Sequence, residues 1–131
     1  IEAGCAASAA SCRDDALRGE INLRRKQVEL AISRGAESIE EDIAFHEAIA
    51  KASGNKFYAM TLAAIRDNRR LAVRITREFS TQPRMSRLRD ILDEHSKIAE
   101  ALEQQDEAAA RDAMVAHIRG GIRRLLGAAQ E

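Results

Sequence analysis

Through almost the whole of this 131-residue chain, apolar residues recur three and four positions apart, and a single proline interrupts them. That period sets them along one side of an α-helix, whereas a strand would need strict alternation. Leu17, Ile21, Val28 and Ile32 form one such stripe; Leu88, Ile91, Leu92, Ile98 and Leu102 form another. Ala, Leu, Glu and Arg dominate the composition, so the expected fold class is all-α, an antiparallel helical bundle of about six helices. The length suits one domain around one sizeable core.

Six helices are expected. The first runs from the start of the chain to about Ser11. The second spans about Asp14 to Arg34, with Gly35 as its stop. Ser38 opens the third, its hydroxyl capping the helix while Glu41 reaches back, and Ser53-Gly54 ends it. Asn55 caps a fourth that reaches about Phe79 and carries Tyr58, Leu62, Ile65, Ala72 and Val73 with several arginines. The stretch STQPR at 80–84 is a break around the proline. The fifth helix runs from about Arg84 to Gln104, and the sixth from a cap at Asp106 to about Leu126. Gly120-Gly121 inside the sixth costs about 1 kcal/mol per glycine, which either a close helix contact or a local bend would explain. The Met and Phe residues read as core.

Lys plus Arg and Asp plus Glu number 21 each, so no basic surface for nucleic acid is evident on this segment. No run approaches the roughly 18 apolar residues of a membrane span, and no signal peptide is visible. Cys5 and Cys12 lie two helical turns apart, about 10 Å and beyond disulfide reach, so reduced thiols in a cytoplasmic protein are expected. The chain opens on Ile1 already inside a helical pattern and without an initiator Met, as a fragment of a longer protein would.

The chain has three histidines, and each falls on an apolar stripe. In EEDIAFHEAIAKASGN (40–55), Asp42 and His46 are one turn apart beside Ile39, Ile43, Ile49 and Ala50. His95 sits between Leu88, Ile91, Leu92 and Ile98, Leu102; His117 sits between Ala110, Ala113, Met114 and Gly121, Leu125. The fifth and sixth helices turn around near Gln105 and are expected to form a hairpin. Each of their histidines then lies roughly 15–18 Å from the loop, at one level of the bundle. Three imidazoles and one carboxylate can therefore converge.

A carboxylate buried unpaired among isoleucines costs several kcal/mol or takes up a proton. A divalent cation removes that cost, and helix bundles commonly hold metals between facing helices. Three nitrogens and one oxygen suit Zn²⁺, and also Ni²⁺, Co²⁺, Fe²⁺ or Mn²⁺ where waters complete an octahedron. The competing account is three hydrogen-bonded core histidines, with Asp42 paired to an arginine of the fourth helix.

The same residues carry a resemblance. EEDIAFHEAIAKASGN resembles the D-x-x-F-H…(A/S)-x-x-N signature of the FCD domain, the ligand-binding domain of GntR-type transcription regulators of the FadR subfamily. EHSKIAEALEQQDEAAARDAMVAHI (94–118) resembles that domain's second signature, a His-x-x-Ile helix, an Asp at the turn and a closing Met-x-x-His. IEAG at 1–4 is similar to the end of its opening R-x-x-(I/L)-E helix. The resemblance spans essentially residues 1–131 and implies an effector-binding and dimerisation domain. The implied effector is an organic acid, sugar acid or fatty-acyl ligand. Metal-containing members bind the ion at positions matching Asp42, His46, His95 and His117, and six helices would fit the shorter, VanR-like version. The resemblance further implies a homodimer whose DNA contact belongs to a winged helix-turn-helix outside this chain. An effector-contacting arginine would lie just upstream of Glu2.

Among secondary residues, Arg69 continues the line Tyr58–Leu62–Ile65 inward and is the first candidate for pairing an effector carboxylate. Arg66, Tyr58 and Asn55 are further effector-binding candidates, set against a solvated basic face, core packing and a helix cap respectively. A regulatory rather than catalytic role is expected, since no general base stands beside the four ligands; Glu41 and Glu47 point off the stripe. The alternatives are a helical metalloenzyme activating water and a metal-free helical interaction domain.

Overall fold

The computed structural model describes residues 1–127, which form seven α-helices. These are α1 (Glu2–Ala9), α2 (Asp15–Ser33), α3 (Ile39–Ala52), α4 (Lys56–Ala64), α5 (Arg66–Phe79), α6 (Arg84–Glu103) and α7 (Glu107–Leu126). The all-α bundle is as expected. α2 packs on α3 and α6 on α7, while α1 lies between α3 and α7. Cys5, Val28, Phe45, Ile49, Ile98 and Met114 form the centre of the apolar core. Leu17 and Ile32 pack on its edge.

One helix was expected over residues 55–79, and two are present. Ile65 joins them with φ −100° and ψ 12°, turning the chain without a proline or glycine. Hydrogen bonding continues across the turn: Ile65 N donates to Thr61 O at 3.2 Å, and Arg69 N donates to Ile65 O at 2.9 Å. α4 rests on α3, whereas α5 crosses both α3 and α7. Tertiary packing, with no local breaker, redirects the chain.

The caps divide similarly. Asp14, Asn55 and Asp106 accept backbone N–H bonds at the starts of α2, α4 and α7. The capping box of Ser38 with Glu41 is absent. Ser38 is left-handed (φ 55°, ψ 32°), not extended as a side-chain cap requires, and its Oγ accepts from Arg77 Nη1 at 3.1 Å.

Four of the six Met and Phe residues are not core: Phe57, Met60, Phe79 and Met85 are all exposed. Ile65 and Leu125 are also exposed, as is Ala72. Both cysteines are free, and burial pushes the Cys5 thiol up to about 11. Among the described residues, no helix is long and apolar enough to cross a membrane.

Candidate metal centre and adjoining cavity

Asp42 and His46 project from α3, His95 from α6 and His117 from α7, and all four are buried. One ligand atom from each lies within 4.8 Å of every other. His95 Nε2 stands 2.9 Å from Asp42 Oδ1, His46 Nε2 3.1 Å from His117 Nε2, and His46 Nε2 3.9 Å from Asp42 Oδ1. Ligands about 2.1 Å from a common ion lie about 3.0 Å apart at right angles and about 3.4 Å apart in a tetrahedron. The three edges given, 2.9, 3.1 and 3.9 Å, bracket those values.

The polar atoms test the fit further. Asp42 Oδ1 and both ring nitrogens of His95 are buried without a hydrogen-bond partner, the 2.9 Å approach lacking the required angle. Facing Nε2 atoms can share at most one proton. A cation satisfies all of these atoms together, so the donor set fits a divalent metal.

Carboxylates back two of the rings. Glu2 Oε1 lies 2.7 Å from His46 Nδ1, and Glu94 Oε2 lies 2.7 Å from His117 Nδ1. A carboxylate at Nδ1 draws the ring proton there and leaves the Nε2 lone pair facing inward. Arg124 grips Glu94 through both oxygens, at 2.8 and 2.9 Å. Gly120 leaves room for that carboxylate: a Cβ at 120 would stand 2.5 Å from Glu94 Oε1. Close contact, not a bend, explains this glycine, because α7 runs unbroken through it.

Burial pushes the Asp42 carboxyl upward, but His95, then His46, outweigh it and hold the group far below the usual carboxylate range. Burial likewise opposes the shift at Glu2, where His46 and Arg69 prevail and bring it to about 2. Burial dominates at His95 and lowers it to about 4. At His46 burial is outweighed by Glu2 and then Asp42, so its pKa is raised. Two residues of the cluster thus favour the forms that a cation needs, ionised Asp42 and neutral His95, whereas His46 favours its protonated form and must give up that proton to bind one.

A cavity of about 270 Å³ opens beside the cluster. Arg69, Arg77, Arg87 and Arg124 line it, together with apolar Val73, Ile91 and Ile118. Arg69 is where the sequence places it, but it pairs with Glu2 at 3.0 Å. The other effector candidates lie away from the cavity lining. Arg66 grips surface Glu47 at 2.7 and 2.9 Å, Asn55 Oδ1 accepts from Phe57 N at 3.0 Å, and Tyr58 packs against the core beside Gly4.

Sequence reasoning missed Glu2, Glu94, Arg77, Arg87 and Arg124, and the surroundings are more polar than expected. A signal existed for two of them. Arg77 follows Arg69 and Val73 at four-residue steps, and Arg87 precedes Ile91 and His95 in the same way. The paired-arginine account of Asp42 has partial substance, since Arg77 Nη2 lies 4.0 Å from Asp42 Oδ1.

Comparison with known proteins agrees with this architecture. No curated protein matches the chain. A solved structure described as Streptococcus agalactiae GntR superposes with a TM-score of 0.76 at 26% identity, over 95% of this chain and 53% of that one. The chain therefore spans about half the length of that protein. The FCD domain model matches residues 1–120. The chain belongs to the FCD domain family.

Proposed function

We propose that this chain is the effector-sensing, metal-binding C-terminal domain of a GntR/FadR-type bacterial transcription regulator. Asp42, His46, His95 and His117 hold a divalent ion, Zn²⁺ first among the candidates. A small organic-acid or sugar-acid effector completes the coordination shell through a carboxylate or hydroxyl oxygen. Arg69 Nη1, buried and without a partner, is available to that ligand. The domain works in the cytoplasm as a homodimer and reaches DNA only through an attached N-terminal winged helix-turn-helix. No reaction is assigned to it.

One observation carries this reading: four buried ligand atoms from three helices gather within 4.8 Å beside a cavity rimmed by arginine. Family membership and the likeness to a protein described as GntR support the regulatory role. The ion supplies a fixed positive charge for an anionic oxygen. The protein's part is to orient the rings through Glu2 and Glu94 and to hold α3, α6 and α7 around one point. A ligand spanning the cluster and α5 stabilises one packing of these helices. It shifts the attached domains only insofar as it binds that packing more tightly than the other.

Calorimetry with Zn²⁺ on the chain and on His95→Ala and His117→Ala tests the site. A loss of affinity of about a hundredfold or more is expected in each variant, since each removes a nitrogen that would bind the ion directly. Unchanged affinity in both variants rules the site out.

A further inference from the structure

We infer that the effector carries two carboxylates, one for the metal cluster and a second for a guanidinium pair formed by Arg77 and Arg87. The inference deepens the metal-sensor reading above and rests on it.

Arg77 from α5 and Arg87 from α6 meet at the cavity wall, each side chain only 5% exposed. The other two cavity arginines are neutralised within the protein, Arg69 by Glu2 at 3.0 Å and Arg124 by Glu94 at 2.8 Å. Arg77 and Arg87 are not. Arg77 donates to the neutral Ser38 Oγ and comes no nearer than 4.0 Å to Asp42 Oδ1. Arg87 donates to Arg77 O at 2.9 Å and to Glu37 Oε2 at 3.4 Å. Glu37 is half-exposed and is held more closely by Arg84, at 2.8 Å. Arg87 Nε is buried with no partner.

A buried guanidinium lacking its own carboxylate is strongly unfavourable. A metal in the cluster sharpens the imbalance, because Asp42 is then committed to the ion. A divalent cation and two guanidiniums face the one charge of Asp42 and a share of Glu37. A dianion offsets that excess, whereas a monoanion leaves much of it standing. Arg presents a planar fork of donors suited to a carboxylate. Val73, Ile91 and Ile118 give the cavity an apolar wall for a short methylene chain between the two ends. The geometry points to a short-chain dicarboxylate.

The test is calorimetry on the zinc-loaded chain with malonate, succinate, glutarate and adipate, each against the monocarboxylate of equal length. At least one diacid should bind about tenfold or more tightly than its monoacid, and Arg87→Met should reduce that preference to about twofold or less. Arg87→Lys, which keeps the charge but loses the fork, should fall between. Circular dichroism establishes that each variant is folded. Should Arg87→Met fail to fold, the diacid-to-monoacid ratio in the unaltered chain and in Arg87→Lys decides alone. Equal affinities for monoacids and diacids, no binding of any diacid, or a preference that survives Arg87→Met overturns the inference. So does inorganic phosphate binding more tightly than every diacid. Zinc titration beforehand separates the two readings: absent zinc binding sinks the sensor, while normal zinc binding without a diacid preference sinks only the dicarboxylate.

Discussion

The carboxylate of Glu94 occupies the space that any side chain at position 120 would enter, 2.5 Å from where a Cβ of Gly120 would stand. Arg124 clamps both Glu94 oxygens and His117 Nδ1 meets one of them, so the carboxylate moves aside only by giving up those contacts. A glycine thereby leaves room for the carboxylate that meets an imidazole one turn earlier on the same helix.

Gly120→Ala should therefore harm the site more than the fold. Alanine gains about 1 kcal/mol of helix propensity but displaces Glu94, and losing a ring-orienting carboxylate typically weakens metal affinity about 10–100-fold. Zinc titration together with urea unfolding checks this. Wild-type zinc affinity in the variant would show that Glu94 does not position His117.

Zinc should stabilise the chain. At a thousand times its dissociation constant a ligand that binds only the folded state adds about 4 kcal/mol. Thermal melts with zinc and with excess chelator should then differ by roughly 10 °C or more, and His95→Ala should lose that difference. Identical melts of the unaltered chain under both conditions would refute a zinc site in the folded state.

Metal uptake should expel protons. His46 titrates above its ordinary 6.5, because Glu2 and Asp42 outweigh its burial, so it keeps to higher pH than a free imidazole a proton that an ion must displace. Affinity for zinc should fall as pH is lowered through that raised pKa. Glu2→Gln removes the strongest cause of the shift and should reduce the protons released near pH 7. Calorimetry in buffers of different ionisation enthalpy measures the release; an unchanged count in Glu2→Gln contradicts the assignment.

Acid should weaken the metal-free protein in two stages. His95 has its pKa depressed by burial from 6.5 to about 4, so the unfolded chain takes up this proton first and stability drops as pH falls across that window. Glu2 and Glu94, lowered from 4.5 to about 2, withdraw their contribution as pH falls further. His46, shifted upward, acts in the opposite sense and loses its contribution as pH rises through its folded value. Stability should peak near neutrality. Denaturant unfolding at several pH values checks this, and His95→Asn should flatten the upper acid stage.

Gly19 offers a contrast to Gly120. It is exposed in the middle of α2, and a Cβ there meets nothing within 4 Å. Gly19→Ala should stabilise the chain by about 1 kcal/mol with zinc affinity intact. Urea titration gives the value, and destabilisation would mean that α2 has an unseen neighbour at this face.

By itself the sequence determined the all-α class, most helix limits, the caps at Asn55 and Asp106 and the inward phase of Asp42, His46, His95 and His117. Helical periodicity carries that information, because spacing along the chain sets the angle of each residue about its own helix axis. Two helices turning back on each other near Gln105 also set His95 and His117 at one level. The tertiary structure alone decided which charges pair. Arg69 is claimed by Glu2, Arg84 and Arg87 converge on Glu37 from 47 and 50 residues away, and Ser38 serves Arg77 instead of its own helix. It also decided the turn at Ile65 and the exposure of Phe57, Met60, Phe79 and Met85. Those outcomes depend on the angle and depth at which another helix arrives. A residue's position on its own helix contains no record of either.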